Sequence, residues 1–252
     1  MSDSELFAFR DEAPLETAPA RAGAAKAQDK PHYHDHRARL RERFEHGGAE
    51  ALPDYELLEL MLFRTIPRRD TKPLAKALLT RFGTLAGVLA AEPARIAEVQ
   101  GAGPAVAQDL AVAQALMLRA QRHELKSRRV ISSWSQLVNY CRSASAHAPR
   151  EQFNVLFLDA KNRLIADEIM TRGTVDQAAV YPREVARRAL ELSAAAIILV
   201  HNHPSGDPKP SAQDIAITRD VAAAAAAVNV TVHDHLVIGR DGVASFKSLG
   251  LL

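Results

Sequence analysis

The stretch that most limits what this chain can fold into runs from Ala196 to Asp214. It opens on the apolar run Ala196 to Val200 (AIILV), which reads as a buried strand. His201, Asn202 and His203 follow, and then Pro204, Gly206, Pro208 and Pro210 force a loop. Ser211 begins an Ala-rich helix with Asp214 in its first turn. Side chains two apart on a strand share a face, so His201 and His203 project together at the strand's carboxyl end. A loop that turns the chain back brings the Asp214 carboxylate towards them. Such a His, His, Asp set leaves a fourth position for water, which is the arrangement of a catalytic zinc; a structural zinc is closed by four protein ligands.

The rest of the chain divides around this segment. Its 252 residues suit two modest domains. Residues 1–30 are rich in Ala, Pro, Glu and Asp, carry 4 basic against 6 acidic side chains, and read as a disordered tail. From Pro31 to Arg129 there are 16 basic against 12 acidic residues, whereas Val130 to Leu252 balances at 12 and 12. The middle section reads as several short helices: apolar residues recur at helical spacing from Leu57 to Leu62 and from Leu74 to Leu79. Pro53, Pro67, Gly83 and Pro93 punctuate them. Beyond residue 130, strand patterns at Phe153 to Leu158, Ala196 to Val200 and Val230 to Ile238 alternate with helical ones at Trp134 to Arg142, Pro182 to Leu192 and Ser211 to Val228. That alternation predicts an α/β domain over 130–252 behind an all-α domain over 31–129.

Other features exclude several classes. One cysteine, Cys141, rules out a fold resting on an internal disulfide framework. The acidic start MSDSELFAFRDEAPLE lacks the regions of a signal peptide, and runs such as Ala194 to Val200 and Val221 to Val228 fall short of the ~20 residues that span a bilayer. The expectation is a cytoplasmic protein with no membrane partner.

Each half of the central pattern has an ordinary explanation alone. A buried His-x-His is commonly satisfied by hydrogen bonds, and Ser211-x-x-Asp214 is a helix-capping arrangement. In combination, the segment from His201 to Asp214 resembles the JAMM motif, His-x-His, seven residues, Ser-x-x-Asp, of MPN-domain metalloproteases. The string HNHPSGDPKPS, with PREVARRAL before it and DHLVIG and SFKSLG after it, is similar to the bacterial RadC family (UPF0758-type), over roughly Leu40 to the end. The resemblance implies a cytidine-deaminase-like MPN (JAMM) fold, Zn2+ held by His201, His203 and Asp214, and Ser211 stabilising a developing oxyanion. It also implies hydrolysis of an amide bond in a peptide or protein substrate, and brings the family's association with DNA repair.

JAMM enzymes further use an upstream glutamate as general base. Glu151, just before the strand pattern Phe153 to Leu158, occupies the corresponding place, with Glu168 and Glu184 as alternatives. A second His-x-His, His233-Asp234-His235, reads either as polar residues satisfied within a strand or as a support to the site. His32, His34 and His36 receive no role. In the helical half, Ala97 to Ala107 resembles the hairpin of a helix-hairpin-helix module, with Gly101 and Gly103 in the turn and Pro104 opening the next helix. Such a turn binds nucleic-acid backbone, so non-specific DNA contact through residues 31–129 is the second functional expectation. No lysine or arginine follows the turn, and whether Arg64, Arg68, Arg69 or Lys72 shares its face is a matter for the fold. Arg37, Arg39, Arg41 and Arg43 read as a solvated helix face.

Overall fold

The fold is given by a computed structural model that describes residues 33–127, 134–172 and 180–252. The expected tail over 1–30 lies outside the described residues.

The carboxyl-terminal half is built on a mixed sheet of β1 (Gln152–Leu158), β2 (Leu164–Arg172), β3 (Ala196–Asn202), β4 (Thr231–Ile238) and β5 (Val243–Ser245), in the order β2-β1-β3-β4-β5. β1 runs antiparallel to both neighbours, β3 and β4 are parallel, and β5 returns antiparallel beside β4. All seven residues of the central strand β3 are buried, as its unbroken apolar run requires when both sheet faces are covered.

Parity decides what each face meets. Phe153, Val155, Phe157, Ile197 and Leu199 pack with Val185 and Ala189 of α8 (Pro182–Glu191) and Val221 and Ala225 of α9 (Ala212–Ala226). Leu156, Leu158, Ile198, Val200, Leu236 and Ile238 face Leu137, Tyr140 and Cys141 of α7 (Trp134–Ser145). Burial there pushes the Cys141 thiol far above its usual range, so it stays protonated.

The amino-terminal half is helical: α1 (Tyr33–Gly47), α2 (Asp54–Thr65), α3 (Lys72–Phe82), α4 (Leu85–Ala90), α5 (Pro93–Ala97) and the long α6 (Pro104–Ser127). Leu58, Leu62, Leu78, Val88, Ile96, Val106 and Leu110 form its core. Arg37 departs from the expected solvated face. It is buried, and its guanidinium donates to the carbonyls of Ile66, Pro67 and Arg69, closing the end of α2 where the chain leaves the helix. Arg39, Arg41 and Arg43 are exposed.

The two halves share α6. Val106 and Leu110 of its first turns belong to the helical core, whereas Leu125 near its end is buried with Leu137 and Tyr140 against the sheet. Arg122 reinforces that end: its Nε donates to the Tyr140 hydroxyl at 2.9 Å and a terminal nitrogen to Asp167 of β2 at 3.1 Å. Because Leu125 is 1% exposed, Leu125→Ala will cost about 2–5 kcal/mol. Chemical denaturation followed by Trp134, the chain's one tryptophan, will register that loss in the sheet-bearing half although the substitution lies on a helix shared with the other half.

Candidate metal centre

Strand parity carries straight into the site. Ile197 and Leu199 face α8 and α9, so His201 and His203 emerge on that same side, towards the first turn of α9. The intervening loop closes around glycine. Gly206 holds φ +102, and a Cβ on Gly239 at the exit of β4 would lie 2.0 Å from the Gly206 carbonyl oxygen. The His203 N–H, bonded to the Ile238 carbonyl at 2.9 Å, anchors the loop's start to β4. Ser211 then caps α9: its hydroxyl accepts from the Asp214 N–H, and its own N–H donates to Asp214 Oδ2 at 2.7 Å.

The three expected ligands come together. His201 Nε2 lies 3.7 Å from Asp214 Oδ1 and His203 Nε2 3.4 Å from Asp214 Oδ2, and one ligand atom from each residue falls within 4.8 Å of the others. The protonation of His201 and Asp214 suits ligation. Burial pushes His201 down to about 4, which leaves its imidazole neutral at pH 7. Burial opposes the Asp214 charge, but His203, the Ser211 hydroxyl and the Ser211 N–H outweigh it and hold the carboxyl well below the ordinary range. His203 Nδ1 sits 2.8 Å from the Asp207 carbonyl, and since a carbonyl only accepts, that nitrogen carries the proton. In the neutral form of His203 the lone pair of Nε2 is thereby aimed at the cluster, as a metal-ligating histidine requires. Cys141 lies on the opposite face of the sheet and contributes nothing to this set.

Glu151 is placed by register. β1 and β3 pair Phe153 with His201, so continuing the ladder two residues sets Glu151 across from His203. Its charge acts on that imidazole, adding to the raised pKa that Asp214 chiefly causes. The alternatives are engaged elsewhere: Glu168 receives two bonds from Arg188, at 2.8 and 2.6 Å, and Glu184 accepts from Arg187 at 3.0 Å. Ser211 donates its hydroxyl proton to Asp214 Oδ2 at 2.7 Å.

Two contributions are not readable from the motif. Asn202, between the histidines and 1% exposed, grips the backbone on both sides of Glu151. Its Oδ1 accepts from the Gln152 N–H at 2.8 Å and its Nδ2 donates to the Arg150 carbonyl at 3.1 Å. The signal was present as the middle residue of His-x-His, but only the β1 to β3 register gives it a target. Beneath Asp214, Thr218 donates its single hydroxyl proton to the Asp214 carbonyl, so His235 Nδ1, 2.7 Å from Thr218 Oγ1, is the donor in that pair. His235 is thus the member of the second His-x-His that supports the site. His233 bonds Asn162 Oδ1 at 2.7 Å, and Asp234 ties β4 to Ser245 and Lys247.

Comparison with known families agrees with this geometry. A RadC-like JAB domain matches residues 131–251, and a UPF0758 N-terminal domain matches residues 33–108. The chain belongs to the RadC/UPF0758 family. The helical region, the mixed five-stranded sheet and the His, His, Asp cluster are those of a protein with a JAB-type domain. Among the described residues no helix is long and apolar enough to cross a membrane.

The Asn202 clamp makes a specific prediction. Asn202→Ala removes two hydrogen bonds and leaves the Gln152 N–H without its side-chain acceptor, costing about 1–3 kcal/mol in thermal or urea unfolding. Metal affinity of the variant, measured by competition with a chromogenic chelator, will stay within about threefold of wild type, because neither bond involves a ligand side chain.

Proposed function

We propose that this chain is a zinc-dependent metallohydrolase of JAMM type that cleaves a peptide or isopeptide amide bond. The carrying observation is the convergence of two imidazole Nε2 atoms and a carboxylate at the carboxyl end of a buried strand. The residues fit zinc by their chemistry. The donors are two nitrogens and one oxygen, the His201 imidazole is neutral, the carboxyl is ionised, and the outer nitrogen of His203 is tied to a backbone carbonyl. His201, His203 and Asp214 would hold the ion, which supplies Lewis-acid polarisation of the scissile carbonyl and lowers the pKa of a water to ~7.

In this proposal Glu151 is the general base. Its carboxylate takes the proton as water attacks the carbonyl carbon and returns it to the leaving amine nitrogen. Asn202 fixes the peptide units on either side and so keeps that carboxylate facing His203. Ser211 serves the developing oxyanion. For this its hydroxyl turns away from Asp214 Oδ2, and the Ser211 N–H keeps its hold on that oxygen. The cytidine-deaminase-like MPN arrangement, with helices on both faces of a mixed sheet, belongs to the same reading.

The test separates metal from chemistry. Zinc measured after purification without chelators will be about one equivalent in wild type and in Glu151→Gln, and near zero in His203→Ala. Against a quenched peptide library, Glu151→Gln will retain zinc yet lose activity by about 10²–10⁴-fold. Near-zero zinc in all three proteins would overturn the proposal.

One observation favours a second activity for the helical half. α5 leads through a turn with Gly101 at φ 92 into α6, which opens at Pro104, and a terminal nitrogen of Arg69 reaches the Gly101 carbonyl at 3.1 Å. The fold thus brings to the turn a cation that the residues after the turn lack. We infer that non-specific DNA backbone contact is made there. Because α6 is shared by both cores, a point substitution is the appropriate test. Arg69→Gln will weaken duplex DNA binding and reduce the magnitude of its salt dependence by about one charge. Unchanged binding and slope would remove the hairpin from the interface.

A further inference from the structure

A cleft of about 310 Å³ runs between the helical half and the loops that carry the metal centre. Arg81 and Phe82 at the end of α3 and Arg95 on α5 line one wall. His147, Pro204 and Arg240 stand on the other, with no carboxylate among the lining residues. Arg81 is paired with Glu98, and Arg240 donates to the Pro204 and Ser205 carbonyls at 3.3 and 3.0 Å. A Cβ on Gly206 would meet both the Arg240 guanidinium and Asp241 Oδ2, at 3.2 and 3.5 Å. Arg95 has no carboxylate partner among the described residues.

The cleft adjoins the site directly. Pro204 follows His203 in the chain, and Pro149, also on its wall, stands two residues before Glu151. The positive field reaches His147, whose pKa falls through burial and then through Arg240 and Arg142. Two classes of anionic ligand fit such a lining, and Phe82 decides between them. Single-stranded nucleic acid is held by bases stacked on open aromatic rings. Phe82 is the cleft's one phenylalanine, tyrosine or tryptophan, and guanidinium carbons of Arg81 and Arg95 lie 5.8 and 5.6 Å from its ring centre. The guanidiniums cover the ring that a base would use. Apolar wall alternating with cation suits a carboxylate on an aliphatic stem.

We propose that this cleft binds the acidic side chains of a peptide segment and so delivers an acidic peptide to the metal centre beside it. The choice of a peptide rests on the amide-hydrolase proposal, and binding is measured apart from turnover so that each can fail alone.

The experiment uses the full chain and a fluorescein-labelled decapeptide rich in Asp and Glu, with the Asn and Gln counterpart as control, read by anisotropy. The acidic peptide will bind and the neutral one will not. Arg95→Gln will raise Kd about tenfold, and Arg95→Glu further, with circular dichroism and zinc content unchanged. Equal Kd in wild type and both variants would overturn the proposal. So would a single-stranded oligonucleotide that displaces the peptide and binds more tightly with the same Arg95 dependence. Absence of turnover with Arg95-dependent peptide binding intact would count against the hydrolase proposal and leave the cleft assignment standing.

Discussion

The pairing of β1 with β3 is the constraint on which the rest depends. β3 is buried at all seven positions, so its side chains have no solvent face to slip towards, and a one-residue change of register would exchange the two cores. With the register fixed, three placements follow together. Ile197 and Leu199 meet α8 and α9, His201 and His203 emerge towards Asp214, and Asn202 reaches the backbone around Glu151. The two histidines and the proposed base therefore need no positioning device beyond this pairing, and within the cluster only Asp214 depends on the capped start of α9. His201, His203 and Glu151 continue one strand pair past the end of its apolar run.

Much of this was legible because the motif carries its own local structure. An unbroken apolar run, prolines and a glycine at fixed offsets, and a Ser-x-x-Asp helix start specify a strand, a loop and a cap with little competition from other conformations. Glu151 was reached by another route, from the family resemblance, as the residue before a strand start with Glu168 and Glu184 as alternatives. Asn202 and His235 were not, because their partners lie 50 and 17 residues away in sequence. A hydrogen bond of that span has no periodicity to betray it.

The helical half shows the converse limit. Arg37, on a helix of alternating charges, reads as solvated by any local rule, yet it is buried. The carbonyls it satisfies belong to the end of another helix and the turn after it. Sequence patterning describes a helix's own faces and says nothing about orphaned backbone groups brought against it. Likewise the division expected between 129 and 130 leaves Leu125 with the helical half, whereas it is part of the sheet's core.

That shared helix gives the charge distribution a structural meaning. Residues 130–252 are formally balanced at 12 basic against 12 acidic, while 31–129 carries 16 against 12. The half that carries the His, His, Asp cluster has no net charge of its own to draw in a charged ligand. With α6 embedded in both cores, α3 and α5 are held beside the loops at His147 and Pro204, and Arg95 contributes its charge, while Arg81 is paired with Glu98, at the border of the candidate metal centre. In the proposed peptide path the helical module then acts on the same site as the sheet. The uneven charge, which read alone marks a separate binding domain, is in that proposal one wall of the substrate path.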